Sequence, residues 1–173
     1  SEMPQIFRVR QRFERHRVEI KQPQCKHILY NFDWKNQPTL AARVQPGQSV
    51  AITAGSRGIA NIAVIIKAIA DHLKSLGLQP FIVPAMGSHG GGTAQGQREI
   101  IEGYGITEEY CGCPIRASME TVIVTEAAEG FPVHFDKHAY EADHVVVCGR
   151  VKPHTGFVGD IESGLMKMML IGL

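Results

Sequence analysis

The chain has almost no excess of either charge: 18 Lys and Arg face 17 Asp and Glu in 173 residues, a formal net charge of +1. That balance removes the broad electrostatic footprint with which proteins hold nucleic acid or an acidic membrane surface. The early cluster of Arg8, Arg10, Arg12, Arg15, Arg17 and Lys21 does not restore it, because Glu14 and Glu19 interleave. Such a run reads as a solvated edge strand or a subunit contact, which leaves a homo-oligomer open. There is no apolar run of the ~20 residues that span a bilayer, and the polar N-terminus lacks the profile of a signal peptide. The expectation is a cytoplasmic protein without nucleic-acid or membrane partners. Cysteine is scarce as well. Cys25, Cys111, Cys113 and Cys148 do not form a secreted disulfide framework in a chain of this size. Cys111-Gly112-Cys113 offers two thiolates to a soft metal, but the usual second pair is missing, so the pair reads as reduced thiols near a turn. Repeats and low-complexity segments are absent.

What is present suits one domain with a sizeable core: 44% hydrophobic and 20% charged residues. Residues 1–45 read as an N-terminal extension with strands at Phe7 to Phe13 and Ile28 to Tyr30 and a turn at Asn36 to Pro38. From residue 46 the pattern sharpens. Ser49 to Thr53 is a short buried strand. Ile59, Ile62, Ile66, Ile69, Leu73 and Leu76 then recur three or four apart, which predicts a helix over 59–76 ended by Gly77. Gln79 to Pro84 is the next strand, which completes a βαβ unit. Thr93 N-caps a predicted helix from Ala94 to Tyr104. Thr121 to Thr125 and Pro132 to Phe135 flank Glu129-Gly130 as a hairpin, and a short helix from Lys137 to Ala142 leads into a Val145-Val146-Val147 strand that extends to a small core residue, Cys148. The fold class expected is α/β: a mostly parallel, Rossmann-like sheet flanked by helices, with a β-hairpin insertion.

Three loops follow three of these strands. One carries Arg57, one Gly87-Ser88-His89, and one Lys152 and His154. Parallel strands end on one edge, so the loops can meet in a single cleft although they are distant in sequence. Two imidazoles suit proton transfer near neutral pH, and an arginine can grip a carboxylate. The glycines of Gly87-Ser88-His89-Gly90-Gly91-Gly92-Thr93 have two readings, an anion cradle at a helix N-terminus or a plain glycine turn. The loop matches neither the P-loop nor the Gly-x-Gly-x-x-Gly pattern. The other histidines (His16, His27, His72, His134, His138, His144) read as surface or satisfied positions. Asp160 and Glu162 read as loop and helix-start acids.

The last stretch, Gly164-Leu-Met-Lys-Met-Met-Leu, holds one charge, Lys167, among apolar residues. A lysine is seldom buried without a partner, so this one is expected to have a task. The sequence then stops inside the apolar Met169–Leu173 run, from which a second domain beyond Leu173 is expected.

Together, Ala54-Gly-Ser-Arg-Gly58, Ala85-Met-Gly-Ser-His-Gly90 and Gly149-Arg-Val-Lys-Pro-His154 with Lys167 resemble the nickel-dependent lactate racemase family, specifically its N-terminal domain, over 46–173. The resemblance implies a nickel pincer nucleotide (pyridinium-3-thioamide-5-thiocarboxylic acid mononucleotide) tethered to a lysine. It implies a small 2-hydroxy acid as substrate, and a C-terminal domain that supplies the nickel-ligating histidine beyond Leu173, so that no metal ligand is expected within this chain. By position, His89 and His154 match the two catalytic acid–base histidines, Arg57 the substrate-binding arginine and Lys167 the tether. Gly87, Ser88 and Lys152 are the further cofactor-binding candidates. The best-known racemases carry an arginine where Gly90 stands here, and the interval from His154 to Lys167 is longer. Two other functions are open to the same residues: a non-catalytic anion- or metal-binding domain, and an oxidoreductase or transferase domain that seats a nucleotide phosphate on the glycine loop.

Overall fold

Ser49–Ala54 (β2) can occupy the middle of a sheet because five of its six residues are buried, a pattern that only a strand covered on both faces tolerates. The computed structural model describes residues 5–8, 40–55, 58–150 and 164–173. In it β2 lies between Gln79–Pro84 (β3) and His144–Val147 (β6), both parallel to it. Gln5–Arg8 (β1) adds a parallel edge next to β6, so the order is β1-β6-β2-β3. The β2–β3 register runs in step from Ser49↔Gln79 to Ala54↔Pro84. Thr121–Glu126 (β4) and Pro132–Asp136 (β5) form a separate antiparallel hairpin. The α/β expectation with a hairpin insertion therefore holds. Of the early expectations, only the start of the Phe7 to Phe13 strand falls on β1. Residues 9–13, the Ile28 to Tyr30 strand and the Asn36 to Pro38 turn lie outside the described residues.

Alternation along the strands divides the core in two. Val50, Ile52 and Ala54 point to one face, where they meet Ile62–Ser75 (α1), Ala94–Gly103 (α2) and Glu108–Cys111 (α3). Ala51, Phe81, Val83, Val145 and Val147 point to the other, under Lys137–Glu141 (α4) and the terminal helix Leu165–Lys167 (α5), which continues as a π-helical turn over Met168–Gly172.

The helix expected over 59–76 begins three residues late. Asn61 is left-handed (φ 57°), which no helical residue can be, so Ile59 packs on the core from the preceding turn. Gly77 ends the helix at φ +78°. Its amide donates to Lys74 O at 2.9 Å and that of Leu78 to Leu73 O at 3.1 Å, the paired bonds of a Schellman turn. Thr93 caps α2 as expected, its hydroxyl accepting from the Gly96 amide.

The Cys-Gly-Cys segment, by contrast, acts as a helix end. Thr107 caps α3, a helix that the sequence pattern was too short to announce, and Gly112 (φ +64°) turns the chain out of it. Residues 114–116 then run beside β3: the Ile82 amide donates to Pro114 O and the Arg116 amide to Ile82 O, both at 2.8 Å. This covers an edge that would otherwise be open to other chains. Cys111 and Cys113 are buried free thiols, and burial pushes Cys113 up to about 11. In the folded chain iodoacetamide at pH 8 is therefore expected to leave Cys113 unlabelled, and peptide mass mapping that finds it alkylated as fast as in denaturant would contradict this burial.

Candidate active site

In open parallel sheets, ligands bind outside the carboxyl ends of the strands, at the point where neighbouring connections leave to opposite faces. Here that point lies between β2 and β6. The chain leaving β2 turns to α1 on one face, and the chain leaving β6 reaches α5 on the other. The loop after β3 lies alongside, tied to β2 by the Ala85 amide donating to Ala54 O at 2.9 Å.

The β2–β6 ladder is paired from Val50↔His144 to Ile52↔Val146 and goes no further. Beyond it the strands are joined by a side chain. Thr53, wholly buried, accepts the Cys148 amide on its hydroxyl at 2.9 Å and donates to Cys148 O at 3.5 Å. Cys148 thus falls just past the valine strand instead of inside it, half-buried, and its burial raises the thiol. Two residues on, the Arg150 guanidinium donates to the Gly58 carbonyl. This bond draws together the residue after Arg57 and the chain that enters Lys152 and His154.

Arg57, Lys152 and His154 themselves lie outside the described residues, as do Asp160 and Glu162. The other candidates are in view. Gly87, Ser88 and His89 occupy the loop after β3, with Gly87 and His89 half-buried and Ser88 exposed. The buried Gln97 side chain holds this loop from α2, donating to Gly87 O at 2.6 Å. Gly90 is left-handed, and a Cβ on it would lie 2.4 Å from the Gly96 carbonyl carbon, so a side chain has no room there. That packing accounts for Gly90 without any anion. Gly91 and Gly92 have positive φ but open space around them.

Lys167 is half-buried on α5, not enclosed by the apolar run as its sequence context suggested. Leu165, Met168 and Met169 pack on the sheet. Two residues from Leu165 on a helix is roughly 200° around the axis, so Lys167 falls on the far side from that contact. The segment closes against the loop after β3, because Gly172 approaches so near that a Cβ on it would be 2.9 Å from the Ala85 backbone. It also covers Gly149, whose Cβ would meet Met168 at 3.4 Å. The Lys167 helix, the His89 loop and the start of the His154 loop therefore share one edge of the sheet.

Among the described residues, no group of three or more His, Cys, Asp or Glu side chains could hold a metal ion, and no helix is long and apolar enough to cross a membrane. A groove of about 340 Å³, lined by Ser49, Lys74, Gln79, Cys113 and Arg116 among others, opens at the opposite, amino-terminal edge. It contains none of the candidates, and the position of the switch point outweighs it. Thr53 is the residue that sequence reasoning missed. The available signal was a single hydroxyl at the end of an otherwise apolar strand.

No curated protein matches the chain. The family model described as the lactate racemase N-terminal domain matches residues 13–173, beginning well ahead of the motifs at 54–58. With nearly the whole chain matched, and with its three motif loops leaving one edge of a parallel sheet, this protein belongs to the lactate racemase N-terminal domain family.

Proposed function

We propose that the chain forms the acid–base and cofactor-tethering part of a racemase or epimerase of a small 2-hydroxy acid. The observation that carries the proposal is the convergence, at the β2–β6 switch point, of the loop that flanks Arg57, the loop of His89, the chain entering His154 and the helix of Lys167.

His89 and His154 act on the 2-hydroxyl, one taking its proton and the other serving the opposite face. Neutral imidazole is suited to this near pH 7. Arg57 holds the substrate carboxylate, for which a guanidinium offers two parallel donors. Lys167 fits a tether: its half-burial leaves the amine open to acylation, and the amide-type bond removes a charge that is unfavourable to bury further. Gly87, Ser88 and Lys152 contribute polar contacts to the nucleotide. A nickel pincer nucleotide, when bound, supplies a reversible acceptor for the hydrogen at the α-carbon. Nickel coordination is assigned to a histidine of a further domain, in keeping with a family defined as an N-terminal domain. The glycine loop offers less to the rival nucleotide-phosphate reading, because Gly90 is used in packing and the Gly96 amide is taken by Thr93.

The test is an isotope experiment on the complete, cofactor-loaded protein. A single enantiomer deuterated at C2 should interconvert with the deuterium retained, since the hydrogen leaves and returns as hydride. Loss of label to water, or no interconversion of any 2-hydroxy acid offered, contradicts the proposal.

A further inference from the structure

The Thr53 hydroxyl has no part in the acid–base chemistry above, and its position does not call for one. Ala51, Ile52 and Ala54 around it are wholly buried, and a hydroxyl in such surroundings is unfavourable unless it is hydrogen-bonded. Both of its bonds go to the Cys148 peptide, at the step where the β2–β6 ladder has stopped. Beyond Ile52↔Val146 the two strands part, and among the described residues the next link between them is a side chain. The Cys148 peptide is instead held from below by Thr53. Two residues later the Arg150 side chain reaches across to Gly58, and between them Gly149 lies under Met168.

We propose that Thr53 is a positioning residue: its hydroxyl pins the Cys148 backbone where the β2–β6 ladder has stopped and thereby sets the course on which Cys148, Gly149 and Arg150 leave the sheet toward His154. The proposal rests on the reading of His154 as an acid–base group. Thr53 touches no reacting atom. Its effect on the chemistry is indirect, and positioning errors near 1 Å are enough to slow a proton transfer strongly.

Thr53→Val keeps the branched shape and removes the hydroxyl, whereas Thr53→Ser keeps the hydroxyl and loses a methyl. Both are compared with wild type as the complete, cofactor-loaded protein, with Thr53→Ala as a second hydroxyl-free variant should the valine chain not fold. The expected result for Thr53→Val is a kcat lowered by roughly 10–100-fold with KM within about twofold, and recovery to within about threefold in Thr53→Ser. Hydrogen exchange on the same samples should show faster exchange at Cys148 to Arg150 in Thr53→Val, while the β2 and β3 amides stay protected. Wild-type exchange at Cys148 in the hydroxyl-free variants overturns the pin. Faster exchange with unchanged kcat overturns its role in positioning, and failure of Thr53→Ser to recover shows that the methyl, not the hydroxyl, matters. If the wild-type protein itself turns over no 2-hydroxy acid, it is the racemase reading that fails, and the exchange comparison still decides whether Thr53 holds the loop.

Discussion

Replacing His154 or His89 with alanine in the complete, cofactor-loaded protein is expected to lower turnover by on the order of 10²–10⁴-fold, the usual worth of a positioned acid–base group. That corresponds to about 3–5 kcal/mol of transition-state stabilisation. The same change at His89 should cost the fold little. Its imidazole is half-buried on the loop after β3 and belongs to neither core cluster, so truncating it opens no cavity in the core. The pairing of large kinetic loss with small stability loss is the informative part. Initial rates in both directions of interconversion, set beside a urea unfolding curve, measure it. Near-normal rates in both variants would show that the two histidines are structural.

The second large effect is expected at Lys167. Mass spectrometry of the mature, nickel-loaded protein should find a sulfur-containing adduct on the Lys167 peptide, and Lys167→Ala should carry no adduct and have no turnover. The geometry favours this lysine because its helix packs through Leu165, Met168 and Met169, so the amine can be acylated without disturbing that contact. Acylation also removes the positive charge from a half-buried site. In the isolated chain, without the rest of the protein or the cofactor's biosynthetic enzymes, the same lysine should remain a free amine. An active holoenzyme with the adduct on Lys152, or with no adduct at all, would sink the assignment of the tether.

That the motif loops leave one edge of the sheet is legible in the sequence, because it follows from a simple property of parallel strands. Once 49–53, 79–84 and 145–147 were recognised as strands of one set, their following loops had to share an edge. The periodicity of Ile62, Ile66 and Leu73 and the glycine at 77 were equally readable, since both are local signals. Errors arose where a non-local contact outweighed a local pattern. Ile59 fits the helical spacing but precedes a left-handed Asn61. Lys167 sits in an apolar run, yet Leu165, Met168 and Met169 of that run pack on the sheet and the lysine, half-buried, lies away from them. Cys148 continues a valine strand by composition, but the strand has parted from its neighbour by that residue.

The sequence by itself determined the α/β class, the order of strand and helix, and the place of His89 on a loop that follows a strand, because apolar periodicity and turn residues act within a few positions of themselves. Only the tertiary structure decided which strands are neighbours, and hence that the topological switch point falls between β2 and β6 and not between β2 and β3. It also decided that Thr53 serves Cys148, 95 residues away. Strand order and side-chain partnership depend on how two faces of a sheet are covered at once, and no stretch of chain records that alone.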